Sequence, residues 1–235
     1  MNKKYFIPGG DEQIKTLLDQ VNVKDFSVLV TGSGCEEISK QFIERGSSEV
    51  VIIVQDDDSL LRTRMNLSGK KGISVRLMEF DNTEFKAATF DLFYAQASIS
   101  TPNRSKIIKE IKRILKSNGY FCVGEIVSLT KTPPQFVKDI WNNSNISPLY
   151  SEEIEKFYKD KNFEVIFDKD LSHKLKDFYQ LSSKILKEKS NEFSSYKGNY
   201  YKKLFKQISH ESNAYLKMGG DAHMGFKMLI LKKVQ

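Results

Sequence analysis

Cysteine is scarce in this chain of 235 residues: there are two, Cys35 in a glycine turn and Cys122 in an apolar run. They are spaced for neither a zinc site nor a disulfide framework and read as unpaired thiols. No run of about 18 apolar residues is present, which excludes a membrane-spanning helix. Met1–Pro8 lacks an apolar stretch of signal-peptide length, so a cytoplasmic protein is expected. Internal repeats and long or biased linkers are absent too, and the length suits a single α/β domain over residues 1–235. An acidic excess is also missing. The formal net charge is +7, with much of the surplus lysine between His173 and Lys233. Those lysines alternate with glutamates at helical spacing, as on solvated helix faces, and form no stripe with base-stacking aromatics, so nucleic acid is not the expected partner.

What is present is organised around Phe26-Ser-Val-Leu-Val-Thr-Gly-Ser-Gly-Cys-Glu-Glu-Ile38. An apolar run of strand length breaks into Gly-x-Gly, and a helical segment follows with Ile38 and Phe42 on one face. Two glycines let the backbone bend tightly and come close to a ligand, while the new helix aims free N–H groups and its positive dipole end at the same place. A dinucleotide fingerprint needs a third glycine. Glu36 and Glu37 stand there instead.

Around this stretch, strands and helices alternate. Ile14, Leu17, Leu18 and Val21 mark a short helix after Pro8-Gly-Gly10, with Asp11 as its N-cap. Glu49–Val54 is apolar on both faces, the mark of a strand in a parallel sheet covered by helices. A helix carrying Leu60, Leu61 and Met65, a strand at Ile73–Met78 and a strand at Phe90–Ala95 come next. Ile107, Ile108, Ile111, Ile114 and Leu115 define a helix expected to stop at Asn118-Gly119, and Tyr120–Val127 is the fifth strand. A capped helix from Ser151 and a strand at Phe163–Phe167 follow. Two long helical stretches come after them, 171–186 and 201–216, then a closing strand at Met224–Leu231. The pattern is a doubly wound, mostly parallel sheet with a helical insertion over residues 170–220, and its ligands are expected at the carboxyl ends of the strands.

Those ends supply Thr31, Gly32, Ser33 and Gly34 after the first strand, Gln55 and Asp56 after the second, Glu79 and Phe80 after the third, and Ala95 and Gln96 after the fourth. A glycine cradle, polar groups about 20 residues on and an acid beside an aromatic ring suit a nucleoside. The pattern resembles the class I S-adenosylmethionine-dependent methyltransferases over nearly the whole chain. Pro8-Gly-Gly10, Val28–Gly34 and Thr89-Phe-Asp-Leu92 carry the resemblance. Above all, Glu110-Ile-Lys-Arg-Ile-Leu-Lys-Ser-Asn-Gly-Tyr-Phe121 is similar to the family's helix-turn-strand signature E-x-x-R-x-L-K-P-G-G. The resemblance implies seven strands with the last antiparallel, and S-adenosylmethionine lying across the ends of the first three. Three positions depart from the pattern: Val30 and Gln55 replace acids, and Glu36 replaces the third glycine.

Methyl transfer asks mainly for alignment of donor and acceptor, with a base only where the acceptor must lose a proton. Candidate bases are His173, His210, His223 and Tyr5, although each reads first as a surface or structural residue because no orienting partner is spaced with it. Cys35 has no base nearby in sequence to activate it. The expected function is methyl transfer to a small-molecule acceptor, with the insertion as a lid and Phe178, Tyr179, Tyr200, Tyr201 and Phe205 as candidate pocket rings. The altered motifs raise the alternative of a binding or regulatory subunit without turnover, for which the partner would be a protein. A nicotinamide-dependent oxidoreductase fits less well, since Glu36 and Glu37 repel a pyrophosphate.

Overall fold

The structure, a computed structural model, describes residues 6–188 and 199–234, without the side chains of 199–205 and 207. Tyr5 and the rings of Tyr200, Tyr201 and Phe205 therefore lie outside the described residues.

The strands are β1 (Ser27–Thr31), β2 (Glu49–Val54), β3 (Ile73–Leu77), β4 (Phe90–Gln96), β5 (Leu115–Ser128), β6 (Leu149–Tyr150), β7 (Phe163–Asp170) and β8 (Met224–Lys233). The helices are α1 (Glu12–Gln20), α2 (Glu36–Glu44), α3 (Asp57–Asn66), α4 (Arg104–Ile114), α5 (Gln135–Asn143), α6 (Ile154–Lys159), α7 (Ser172–Glu188) and α8 (Asn199–Lys217). The sheet runs β3-β2-β1-β4-β5-β8-β7. Neighbours from β3 to β5 are parallel, and β8 lies antiparallel between β5 and β7. The order reverses beside β1, where a doubly wound sheet opens a crevice at its strand ends.

Each face of the sheet carries its own core. On one side Ile14 and Leu17 of α1, Ile38 and Phe42 of α2, Ile140 and Trp141 of α5, and Leu175 of α7 pack together. On the other, Ile107, Ile108, Ile111 and Ile114 of α4 meet Ile154 and Tyr158 of α6. Every residue of β1 is buried, and so is β2 beyond Glu49, which is why both read as unbroken apolar runs. Each buried isoleucine of α4 contributes about 1.5–3 kcal/mol.

Two details differ from the sequence expectation. Helix α4 ends at Ile114 and not at Asn118-Gly119. Leu115 is already extended and pairs with Phe90, while Ala88 and Thr89 donate their N–H groups to the carbonyls of Arg113 and Ile114. These bonds end the helix one turn early, so Asn118, at φ 62°, bends the start of β5 and does not cap a helix. The second detail is β6, two residues paired with the end of β5. Among the described residues no helix is long and apolar enough to cross a membrane.

Candidate functional site

A cavity of about 430 Å³ opens at the carboxyl ends of the central strands. Its floor is Gly32 and Ser33 after β1, Gln55 and Asp56 after β2, Phe80 after β3, and Gln96 and Ser98 after β4. Its roof comes from the insertion, with Phe178 and Tyr179 of α7 and Ile208 and Glu211 of α8. The α7–α8 pair thus packs beside the strand ends.

The glycine turn is held by sterics and by hydrogen bonds. Gly32 and Gly34 have φ of 99° and 81°, a region that only glycine enters without strain. Gly32 donates its N–H to the Ile53 carbonyl at 3.0 Å, and a Cβ there would meet the Ser98 side chain at 3.1 Å. Thr31, fully buried, shares a 2.8 Å hydrogen bond between hydroxyls with Ser98, which pins the post-β1 and post-β4 loops together. A Cβ on Gly34 would lie 3.1 Å from Ile7, so the N-terminal arm rests directly on the turn. Cys35 begins α2 with its thiol buried, and burial, reinforced by Glu36, pushes its pKa up to about 12. It is no thiolate nucleophile at neutral pH.

The polar residues after β2, β3 and β4 take different parts. Gln55 donates from Nε2 to Glu79 at 2.6 Å, so the side chains expected at ribose and adenine hold one another. Asp56 caps α3, accepting the Ser59 N–H at 2.8 Å. Phe80 is buried in the α4-side core with an edge on the cavity. Ala95 is fully buried, and its carbonyl accepts from Gln13 at 3.0 Å. Gln96 is a clasp: Nε2 donates to the carbonyls of Pro8 at 2.7 Å and Gly10 at 2.9 Å, while Oε1 accepts from the Tyr94 hydroxyl. Of the ten positions expected to touch cofactor, Gly32, Ser33, Gln55, Asp56, Phe80 and Gln96 line this cavity. Gly34 lines a neighbouring cavity of about 580 Å³ with Glu36, Glu37, Lys40 and Arg62.

None of the three histidines reaches the cavity. His173 bonds Glu12 at 2.9 Å on the surface, His210 lies on the outer groove between α5, α7 and α8, and His223 pairs with Thr130 at 3.0 Å. The roof instead presents Glu211, which accepts from the Ser144 hydroxyl and from Tyr179. Burial, with Glu211 beside it, holds the Tyr179 phenol well above its ordinary range. Sequence reading missed Glu211. It shares one face of α8 with Ile208 and Tyr215, and an acid within an apolar stripe is the signal that would have marked it.

A buried ion pair supports the cavity's far wall. Glu125 of β5, fully buried, accepts from Arg104 Nε and from Ser100, each at 2.9 Å, and from the Tyr158 hydroxyl. Arg104 also donates to the Ser147 carbonyl, fixing the loop that brings Ser144 and Ile146 to the cavity. An unpartnered charge at this depth would be costly, and here both charges are fully bonded.

The residues present fit an adenosyl group. A volume of about 430 Å³ lies within the usual range for ligand sites, and the floor combines close glycine backbone with carboxamide, carboxylate and an aromatic edge. Residues 29–123, from β1 into β5, match the family model of the methyltransferase domain. No curated protein matches the chain in sequence. Similar solved structures include a protein described as a sarcosine dimethylglycine methyltransferase from Galdieria sulphuraria, with TM-score 0.77 and 13% identity over 95% of this chain and 85% of that one. A phosphoethanolamine N-methyltransferase from Haemonchus contortus, in complex with phosphomonomethylethanolamine and S-adenosylhomocysteine, aligns with TM-score 0.79 and 17% identity over 99% of this chain and 55% of that one. The cyclase SpnF gives 0.77 and 15%, over 95% and 80%. Residues 29–123 thus match a methyltransferase domain, and the chain as a whole shares the fold of these solved structures.

Proposed function

We propose that the protein transfers a methyl group from S-adenosylmethionine to a small-molecule acceptor, with both held in the cavity at the strand ends. The observation that carries this reading is the convergence of Gly32, Gln55, Asp56 and Phe80 from three successive strands on one cavity under a helical roof. The cofactor supplies an electrophilic methyl on a sulfonium. The glycine turn gives it close backbone approach, Gln55 and Asp56 offer groups for ribose hydroxyls, and Glu79 at the rim offers an acceptor for an adenine amino group. The roof excludes water and positions the acceptor, which is most of what this reaction asks of a protein.

A second reading, a subunit that binds cofactor without turnover, is favoured by one observation. Gln55 and Glu79 are bonded to each other, which commits one carboxamide donor and one carboxylate oxygen to the protein itself. SpnF, called a cyclase, shows that this fold is not tied to one chemistry. Calorimetric titration with S-adenosylmethionine, S-adenosylhomocysteine and NAD tests both readings. Micromolar or tighter binding of the first two and none of NAD is expected. Replacing Glu79 by alanine removes one hydrogen bond to a charged group, an expected loss of about 1.5–3 kcal/mol or about 10- to 150-fold in affinity. Unchanged affinity in Glu79→Ala would move the adenine elsewhere. Absence of binding by either adenosyl compound defeats both readings.

A further inference from the structure

The segment before α1 belongs to the walls of two cavities at once. Ile7 and Pro8 line the strand-end cavity of about 430 Å³ and its neighbour of about 580 Å³, and so does Phe178 of α7. Residues 6–10 therefore form a partition, and the Phe6 ring, its centroid 5.2 Å from that of Phe178, joins the partition to the roof. Ile7 is buried against the glycine turn, 3.1 Å from where a Cβ on Gly34 would stand. Yet among the described residues no backbone-to-backbone hydrogen bond ties this segment to the rest of the chain, and its one such bond is internal, from the Gly10 N–H to the Ile7 carbonyl at 3.0 Å. What holds its backbone from outside is one side chain. Gln96 has two amide hydrogens, and both are committed here, to the carbonyls of Pro8 and Gly10, while the Tyr94 hydroxyl orients the carboxamide by donating to Oε1. Gly9 lies so close beneath them that a Cβ would stand 2.6 Å from the Phe226 ring and 2.9 Å from Gln96 Nε2. A segment with so few backbone bonds and a single polar tether has low local stability and opens without the rest of the fold.

Resting on the reading that the strand-end cavity takes the adenosyl cofactor, we propose that residues 6–10 are a strap that opens to pass the cofactor and that Gln96 is its latch. Gln96 is then a positioning residue and not the cofactor contact that its place after β4 suggested. With the strap lifted, the two cavities join into one trough beside the glycine turn.

A strap that only covers a site changes how fast a ligand passes and leaves the equilibrium nearly alone, so rates test it better than affinities do. Two variants release it from opposite sides: Gln96→Leu removes both bonds, and Gly9→Ala forces the backbone away from Phe226 and Gln96 without changing a residue that lines the cavity. Association and dissociation of S-adenosylhomocysteine are read by surface plasmon resonance on the immobilised protein. Both rates should rise together in both variants, at least about fivefold, the low end of what two neutral hydrogen bonds are worth, with Kd changed less than either rate. Loss of structure alone would speed dissociation and not association, so association that is unchanged or slower in the folded variants overturns the proposal. The wild-type protein supplies a second readout without ligand, by amide exchange in NMR. The Gly10 amide should exchange at least about tenfold faster than the hydrogen-bonded amides of α1, as a strap that opens by itself requires. Equal protection overturns the proposal even if neither variant folds. Failure of S-adenosylhomocysteine to bind defeats the reading of the cavity instead, and the Gly10 amide still decides whether the strap opens alone.

Discussion

Glu110 shows why the most legible motif of this chain is a structural one. Its carboxylate accepts from the Thr83 N–H at 2.9 Å and from the Thr83 hydroxyl, and it pairs with Arg113 at 2.6 Å. Burial alone would raise its pKa, but the bonds from Arg113 and Thr83 outweigh it and hold the carboxyl below its ordinary value of 4.5. Lys116 of the same motif reaches Asp91 at 2.8 Å, and Asp91 accepts the Ser27 N–H at 2.9 Å. The motif thus ties α4, the loop after β3, β4 and β1 together, and none of its residues lines the cavity at the strand ends. Because the folded-state pKa is depressed, this contribution is fully present above pH 4.5 and disappears as pH falls through the folded value. Glu110→Gln should therefore cost about 1.5–3 kcal/mol at neutral pH. The gap to wild type should close below pH 4.5, measured by urea melts across pH. A gap that persists in acid would assign the loss to packing and not to charge.

Helices α7 and α8 carry the functional uncertainty of the sequence. The strands were readable because burial on both faces leaves an unbroken apolar run, and the glycine turn because its positive φ angles demand that residue. The roof was harder. Apolar stripes predict two helices, but whether their rings face each other or a cavity depends on tertiary placement. Both occur: Tyr179 stacks on Tyr215 at 4.6 Å, and Tyr179 and Phe178 also line the cavity. Strand β6 was illegible because two residues carry no periodicity, and the end of α4 was misplaced because the competing bonds come from residues 88 and 89, distant in sequence. If the pair is a lid, amide exchange in both helices should slow when S-adenosylhomocysteine is bound. Exchange indifferent to it, while the glycine turn responds, would make α7 and α8 a fixed wall.

At the scale of the molecule, the cavity draws its walls from Ile7 to Glu211, nearly the full length of the chain. A ligand there touches elements from both ends of the chain, so it binds the folded protein and not the unfolded one. S-adenosylhomocysteine at 100 times its Kd should therefore add about 2.7 kcal/mol, or about 5–11 °C in Tm. A Tm unmoved at saturation would place the ligand on a locally unfolding segment. The position of β8 has a different consequence, one that concerns the ribosome. β7 pairs with β8 alone, and β8 supplies β5 with its second long neighbour. While the chain is being made, β5 waits with an open edge and β7 has nothing to pair with until the last strand emerges. The apolar residues Leu229 and Leu231, fully buried in the finished sheet, are made after both of the strands they join. The sheet cannot close until β8 has emerged. For as long as β8 is still being synthesised, the unpaired edge of β5 is exposed to other nascent chains and to chaperones.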